Sequence, residues 1–294
     1  MTSTTWQVLE TGPLVTVQDR GRIGLAHLGV PRAGALDGPA AALANRLVGN
    51  GPDAAVLEVL LGGLAVRAGG GCWVAVTGAP APVSVDGSAR ALSRAEWLPA
   101  GGVLRVGAPA AGLRSYVAVA GGFAVEPVLG SRATDTLAWV GPPRVEPGVE
   151  LPVGEPTGEL RPLDTPPSPP PGALRVVPGP RDDWFTGDAL DELCRTTWTV
   201  GADSDRIGLR LEGVGLRRAR DGELASEGVV LGAVQVPPSG RPVVLLADHP
   251  PTGGYPVVGV VDEADLWRCA QVRPGEEVRF TALPRPPAPG AATG

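Results

Sequence analysis

The sequence contains no lysine, so all 25 of its strongly basic side chains are arginines. Three kinds of site are thereby excluded from this chain: a Walker-A phosphate loop, a Schiff-base lysine and a biotinyl-lysine. If ATP or covalently held biotin takes part in the reaction, another polypeptide must carry it.

Metal-binding and disulfide-forming side chains are scarce. The chain has two histidines and three cysteines, and Cys72, Cys194 and Cys269 are far apart. None of them has the spacing of a zinc-ligand pair, so we expect no metal site. An odd number of isolated cysteines does not build a disulfide framework, which favours a reducing cytoplasm.

Long apolar runs and clustered positive charge are also missing. No stretch approaches the ~20 apolar residues of a membrane span, and the N-terminus lacks the features of a signal peptide. The formal net charge is −6, and the densest basic cluster is Arg217, Arg218 and Arg220. That cluster is too short for a nucleic-acid surface. We therefore expect a cytoplasmic protein that binds neither nucleic acid nor membrane.

Glycine and proline are abundant, at 43 and 33 residues, whereas aromatic residues make up 4% of the chain. This composition is typical of many short strands joined by tight turns. Helices are predicted only at 38–48, 183–194 and 262–269. We predict an all-β fold, mainly β with a few short helices, in which antiparallel barrels bury the strand edges.

A proline-rich segment divides the chain, because residues 162–172 include six prolines. Such a segment favours an extended polyproline II connector. We predict an N-terminal barrel over 1–161, a linker over 162–172 and a C-terminal barrel over 173–283. The Pro/Ala/Gly-rich residues 284–294 are predicted to be a disordered tail.

The strongest site candidate is the loop 248–256, which reads Asp-His-Pro-Pro-Thr-Gly-Gly-Tyr-Pro between two apolar runs. Its prolines and glycines are what a turn requires. An acid, an imidazole, a hydroxyl and a phenol are not required, so the loop holds more chemistry than turn formation needs. A rigid turn with an incidental histidine is the alternative.

In the first half, residues 18–24 form a charged, glycine-containing loop after a predicted strand. Either the backbone approaches a ligand there, or an Asp-Arg pair fixes the turn. Glu58 lies within an apolar strand and is predicted to point inward. A buried carboxylate needs a cation or donor, for which the loop offers Arg20 or Arg22. Residues 204–208 repeat the Asp-Arg-x-Gly element, which hints at a duplicated barrel.

The predicted helix 38–48 has polar residues at both ends. Asp37 is in position to cap its N-terminus. Asn45 and Asn50 are poorly explained by helix propensity and are expected to make specific polar contacts.

Taken together, the motifs resemble those of the carboxyltransferase subdomain A/B family, which includes the C-type subunit of 5-oxoprolinase, the KipI antagonist and allophanate hydrolase subunit 2. The resemblance follows the family's order over nearly the whole chain, about residues 6 to 281. The segments that carry it are 17–24, 29–37, 44–50, 57–59, 116–122, 129–135, 204–211, 226–229, 235–242, 248–256 and 271–275.

The resemblance implies two cyclophilin-like β-barrels and a composite catalytic unit with a subunit-B-like (KipI-like) partner. With a subunit-A-like protein, such a complex opens 5-oxo-L-proline to L-glutamate in an ATP-dependent reaction. One alternative is a biotin-dependent carboxyltransferase subunit of the urea carboxylase type. Another is a non-catalytic regulator that antagonises a kinase inhibitor. We expect this chain to bind no cofactor, with ATP (and Mg) or biotin supplied through the partner subunits.

For 5-oxoproline, an arginine is the natural anchor of the substrate carboxylate, and Arg22 and Arg206 are candidates. Proton transfer is assigned to Asp248 or His249, with Tyr255 as a third catalytic candidate that could hold a carbonyl oxygen. The remaining substrate-binding candidates are Asp37, Asn45, Glu227, Gln235, Gly253 and Gly254. Gln235 could also hold the carbonyl oxygen, and the two glycines would let backbone N–H groups approach the substrate.

Overall fold

The computed structural model describes residues 4–161, 172–220, 222 and 224–284. The chain forms two compact units, Met1–Pro169 (unit 1) and Pro170–Gly294 (unit 2). The predicted linker and tail lie outside the described residues, except for Gly172 and Pro284 at their edges.

Unit 1 is built almost entirely from short strands joined by glycine-containing turns. Its strands are β1 Thr5–Glu10, β2 Leu14–Gln18, β3 Val56–Leu60, β4 Leu64–Ala68, β5 Cys72–Gly78, β6 Val83–Val85, β7 Ser88–Arg90, β8 Ala95–Leu98, β9 Val103–Val106, β10 Arg114–Val119 and β11 Glu150–Pro152. The helix α1 spans Gly38–Leu47, and a 3-10 turn spans Ala26–Leu28.

Two antiparallel sheets make up unit 1. The six-stranded sheet has the order β11-β1-β4-β9-β6-β7, and the five-stranded sheet has the order β2-β3-β10-β5-β8. One core cluster contains buried residues of both sheets, such as Trp6, Leu57, Leu104 and Val117, so the sheets face each other across it. Trp6 packs edge-on against Phe123, with ring centroids 5.4 Å apart.

Helix α1 covers the other face of the five-stranded sheet. Its Leu43 and Leu47 are buried in a cluster with Tyr116 and Ala118 of β10, so β10 is buried on both faces. The helix begins as predicted, because the Asp37 carboxylate accepts a hydrogen bond from Ala40 N at 3.0 Å. It ends one residue before the predicted Val48.

Unit 2 has a similar inventory. Its strands are β12 Leu174–Pro178, β13 Trp198–Val200, β14 Gly208–Glu212, β15 Glu227–Gly228, β16 Ala233–Gln235, β17 Val243–Leu245, β18 Thr252–Gly253, β19 Val257–Val261, β20 Glu277–Val278 and β21 Phe280–Ala282. The helices are α2 Ala189–Arg195 and α3 Glu263–Cys269, and a 3-10 turn spans Asp182–Trp184.

Eight of these strands form one nearly closed sheet in the order β20-β13-β14-β17-β16-β19-β12-β21. Strands β12 and β21 are parallel, and the other pairings are antiparallel. The separate ribbon β15–β18 lies outside this sheet. The all-β fold with barrel domains is therefore confirmed.

The helix predicted over 183–194 starts six residues later, at Ala189, after the 3-10 turn Asp182–Trp184. Residues 186–188 are held in a turn instead, because Thr186 N donates to Arg217 O and the Thr186 hydroxyl bonds to Asp188. Helix α3 agrees with the prediction, with Asp262 as its capping residue. Within the described part of the chain, no helix has both the length and the apolar character of a membrane span.

Candidate functional site

An ion pair at the centre of unit 2 holds the start of the 248–256 loop. Arg206 precedes β14, and Asp248 follows β17, the strand next to β14. Arg206 donates from Nε to Asp248 Oδ2 at 2.8 Å and from Nη2 to Oδ1 at 2.9 Å. The side chains are 1% and 0% exposed. This bidentate geometry compensates two charges that would be costly to bury singly.

His249 follows directly and is also buried. Its Nδ1 lies 2.7 Å from the carbonyl oxygen of Pro250. Because a carbonyl oxygen only accepts hydrogen bonds, Nδ1 carries the proton. In the neutral ring, Nε2 is then the atom with a lone pair. The tautomer suits a base that accepts a proton at Nε2.

A second set of polar side chains lies along the ribbon β15–β18. Glu227 stands opposite Gly253 in this ribbon. Its carboxylate accepts hydrogen bonds from Arg181 Nε at 3.2 Å and 3.0 Å, and from Nη2 of the same guanidinium. This pairing raises the pKa of Arg181. Glu227 and Arg181 are both partly exposed, so this pair, unlike Arg206–Asp248, is accessible from solvent.

Gln235 lies against the same ribbon. A Cβ at position 253 would lie 2.5 Å from Gln235 Nε2, so a larger residue there would displace the Gln235 amide. Gln235 also donates to the backbone oxygen of Tyr255 at 3.4 Å. The Tyr255 side chain is 37% exposed. Gly254 accepts a backbone hydrogen bond from Leu224 N. The structure thus brings together Glu227, Gln235, Gly253 and the Tyr255 backbone.

Unit 1 contains a buried network around Glu58. This carboxylate accepts hydrogen bonds from the Tyr116 hydroxyl at 2.9 Å and from Leu36 N at 3.0 Å. Arg114 forms an ion pair with it at 3.3 Å. The Tyr116 hydroxyl in turn accepts a hydrogen bond from Asp37 N. Burial, with the nearby charge of Glu58, raises the pKa of Tyr116 well above its ordinary value.

The structure places a cation beside Glu58 that the sequence did not predict. Arg114 of the neighbouring strand occupies that place, whereas Arg20 pairs with Asp53 at the surface, 3.3 Å away. Arg22 is buried and donates to the carbonyl oxygens of Val128 and Ala133, at 3.0 Å and 2.6 Å. Among the contacts the structure gives it, Arg22 therefore holds a loop in place.

The remaining candidates of unit 1 lie around α1. Asn50 donates to Asn45 Oδ1 at 2.9 Å, and Asn45 donates to Ala54 O at 2.8 Å. Asn50 also accepts a hydrogen bond from Gly121 N. The polar contacts expected of these two residues are confirmed, and they join the end of α1 to the turn after β10. Asp37 caps the opposite end.

Sequence reasoning missed Arg181, Arg114 and Tyr116. Tyr116 is one of only two tyrosines and is set in an apolar strand, which is a usable signal. Nothing in the sequence singles out Arg181 or Arg114, because each meets its partner only when distant segments come together in the fold. No group of three or more His, Cys, Asp or Glu side chains with metal-binding geometry occurs among the residues that the structure describes.

The fold and these polar groups define the class: an all-β protein of two units, with one buried ion pair and one accessible polar ribbon in unit 2. Residues 28–282 match the family described as carboxyltransferase domain, subdomain A and B. The chain belongs to this family.

Among curated proteins, the chain is 37% identical to the C-type subunit of 5-oxoprolinase from Escherichia coli over 284 residues, which cover 93% of this chain and 90% of that protein. It is 32% identical to the protein of the same name from Haemophilus influenzae, over 94% and 90% of the two chains. It is also 30% identical to urea amidolyase of Lachancea kluyveri, over 95% of this chain but 17% of that protein.

Two solved structures are similar to nearly the whole chain. The crystal structure of TTHA0988 superposes with a TM-score of 0.85 at 39% identity, over 95% of this chain. The chain spans 56% of the TTHA0988 chain. Urea amidolyase of K. lactis superposes with a TM-score of 0.85 at 29% identity, over 95% of this chain and 19% of that chain.

Proposed function

We propose that this chain is a subunit of an ATP-dependent 5-oxoprolinase complex, which hydrolyses 5-oxo-L-proline to L-glutamate. The observation that carries the proposal is the 37% identity to the C-type subunit of the Escherichia coli 5-oxoprolinase, which extends over 90% of that protein. In this proposal the chain forms a composite catalytic site with a subunit-B-like (KipI-like) partner, and a subunit-A-like protein completes the complex.

The chemistry of the accessible ribbon fits this substrate. 5-Oxoproline has a carboxylate and a ring amide, so its site needs a cation and a donor for the amide oxygen. Arg181 is partly exposed, so its guanidinium would bind the substrate carboxylate while it stays paired with Glu227. Gln235 places an amide donor beside the Gly253 backbone. Arg206 is less accessible than Arg181, because two of its guanidinium nitrogens bond to Asp248 in the interior.

Proton transfer is proposed for His249, whose ring lies at the head of the same loop. Asp248 would then act on the chemistry only indirectly, by fixing that loop. Its role as a proton carrier stays a prediction, as does the role of Tyr255. ATP and Mg would be bound by the partner subunits, in keeping with the absence of lysine from this chain.

Reconstitution tests the proposal. The chain is co-expressed with its subunit-B-like and subunit-A-like partners, and glutamate release from 5-oxoproline is measured with and without ATP. We expect ATP-dependent release from the assembled complex and none from the isolated chain. An assembled complex that leaves 5-oxoproline intact would refute the assignment.

His249→Ala tests the proposed proton transfer in the same assay. Loss of a general base lowers turnover by roughly 10²- to 10⁴-fold. The control is His27→Ala, which removes the exposed histidine of unit 1. Copurification of the subunits confirms that both variant complexes assemble. Full turnover by His249→Ala would remove this residue from the chemistry.

The family description and the urea amidolyase relatives favour a second candidate, a biotin-dependent carboxyltransferase subunit. In that case the carboxyl donor is biotin on a partner chain. Avidin separates the two candidates, because it would abolish a biotin-dependent activity and leave a 5-oxoprolinase unaffected.

A further inference from the structure

Two loops of unit 1 expose large apolar side chains. Ile23 is 71% exposed, Leu129 53% and Trp139 55%, and Val128 and Leu137 are also exposed. Single exposed apolar residues are common on soluble proteins and need no explanation. A group of five on two connected loops is the pattern of an interaction site. We call these five residues the apolar surface.

Buried polar side chains hold the two loops together. Arg22, next to Ile23, donates to Val128 O and Ala133 O. Gln18 donates to Thr134 O at 2.9 Å. Arg22 thereby ties the loop that carries Ile23 directly to the loop that carries Val128 and Leu129.

Two carboxylates fix the second loop from within. Asp135 is fully buried and accepts hydrogen bonds from Leu137 N at 3.1 Å and Ala138 N at 2.7 Å. Asp19 accepts from the Ser131 hydroxyl and from Arg132 N, both at 2.6 Å. The apolar surface is therefore preorganised, which lowers the entropic cost of binding.

The backbone at two of the five residues is strained. Leu129 has φ +52° and Trp139 has φ +56°, a region that bulky side chains seldom adopt. Glycine would adopt the same conformation without strain. Both side chains nevertheless stay more than half exposed. Such strain occurs at functional surfaces, and here it falls on two members of the exposed group.

We propose that the apolar surface binds the partner polypeptide of the complex, with the Trp139 indole as its central contact. This inference rests on the proposed function. A different chain is favoured over a second copy, because the matching region makes up 56% of the TTHA0988 chain, so that polypeptide also holds other residues beside it. The partner must offer an apolar groove, since tryptophan is among the residues that contribute most to binding when they are buried at an interface.

Glycine substitutions separate binding from folding. Trp139→Gly and Leu129→Gly each remove an apolar side chain and relieve backbone strain, so neither should lower the melting temperature of the chain. Leu61→Gly is the matched control, because Leu61 is also exposed and has φ +55°. Leu61 follows β3, whose last residue, Leu60, pairs with Leu14 at the start of β2. The loop that carries Ile23 follows the other end of β2, so Leu61 lies away from the apolar surface.

The measurement is the affinity of each full-length chain for the subunit-B-like partner, by copurification and by titration calorimetry. We expect Trp139→Gly to weaken binding by about tenfold or more, Leu129→Gly to weaken it less, and Leu61→Gly to match the unsubstituted chain.

Three outcomes would overturn the inference. Equal binding by Trp139→Gly and the unsubstituted chain would refute the apolar surface and leave the proposed function intact. An unsubstituted chain that binds no partner would refute both. A dimer of the chain alone, detected by light scattering and lost in Trp139→Gly, would assign the surface to a second copy instead.

Discussion

Arg206 and Asp248 carry opposite charges into the interior of unit 2, and each charge is tolerated because of the other. The contribution of this ion pair to stability is therefore best measured by removing one charge and then both charges. Removal of one partner leaves a buried, uncompensated charge. Replacement of both by apolar side chains leaves none.

We predict that Asp248→Ala destabilises the chain by about 3–5 kcal/mol. The double variant Arg206→Met with Asp248→Leu should lose less unfolding free energy than Asp248→Ala alone. Urea unfolding, followed by circular dichroism, measures both values. Glu10→Ala is the surface control, because its partner Arg105 is half exposed, and a loss of about 1 kcal/mol or less is expected there. A double variant less stable than Asp248→Ala would contradict the prediction.

At the residue scale, the sequence is informative where a contact is local. Asp37 is predictable as a cap because its donor lies three residues away, and the bond to Ala40 N confirms it. For Glu58 the sequence suggests Arg20 or Arg22, but the structure pairs this carboxylate with Arg114, which reaches it through the pairing of β10 with β3. Charge alone cannot distinguish Arg114 from Arg20 before that pairing is known.

Among the elements, α3 is attached to the sheet of unit 2 through charge. Arg175 of β12 donates to Asp265 from its backbone N at 2.8 Å and from Nε at 2.9 Å. It also reaches Asp262, the capping residue of α3, at 3.3 Å. Burial alone would raise the pKa of Asp265, but the bonds and charge of Arg175, with the charge of Arg268, lower it.

This lowered pKa predicts an acid-dependent loss of stability. A carboxylate with a lowered folded-state pKa stabilises the fold above its unfolded-state pKa, and that contribution disappears as pH falls through the folded value. Asp265→Asn should therefore flatten the fall in unfolding free energy between about pH 5 and about pH 3. Urea titrations across this range measure the slope. Thr281→Ala on the neighbouring β21 should keep the original slope, and an unchanged slope in Asp265→Asn would contradict the prediction.

Turns are among the better predicted elements, since turn chemistry is local. An Asp-Gly pair between two strands is a hairpin signal, and Asp86 and Gly87 both have positive φ in the turn between β6 and β7. The Asp-Arg-x-Gly elements are also turns, because Asp19 accepts from Gly21 N and Asp205 from Ile207 N. In both turns the acid binds backbone N–H groups, whereas the neighbouring arginines pair elsewhere, Arg20 with Asp53 and Arg206 with Asp248.

For the molecule as a whole, composition predicts the fold class but not the strand order. Abundant glycine and proline with few aromatic residues indicate short strands and barrels; both units have the short strands, and unit 2 has a nearly closed sheet. The pairing of β11 with β1, or of β12 with both β19 and β21, joins segments far apart in sequence. A hydrophobic pattern predicts which face of a strand is buried, but it does not predict which strands pair with each other.

The apolar surface escapes prediction for a related reason. Ile23, Leu129 and Trp139 are ordinary apolar residues in the sequence, and a pattern-based argument assigns them to the core. Only the folded loops show that they are exposed, and only the backbone angles show that two of them are strained. A single sequence therefore gives little indication of which apolar residues form a partner-binding surface.

Each unit has sheets built only from its own strands. No strand pairing among the described residues links one unit to the other, so neither needs the other to complete a sheet. We predict that fragments 4–161 and 172–284 each fold when expressed alone. Each should unfold cooperatively in urea, with a free energy of about 5 kcal/mol or more.

Circular dichroism and urea titration of each fragment, with the full chain as control, provide the measurement. A fragment that is soluble but unfolds without a cooperative transition would contradict the prediction, because its sheet would then depend on contacts from the other unit. If both fragments fold, Asp248→Ala should destabilise fragment 172–284 by the same amount as the full chain, since Arg206 and Asp248 both lie within it. A smaller loss in the fragment would show that the buried ion pair is strengthened by the rest of the molecule.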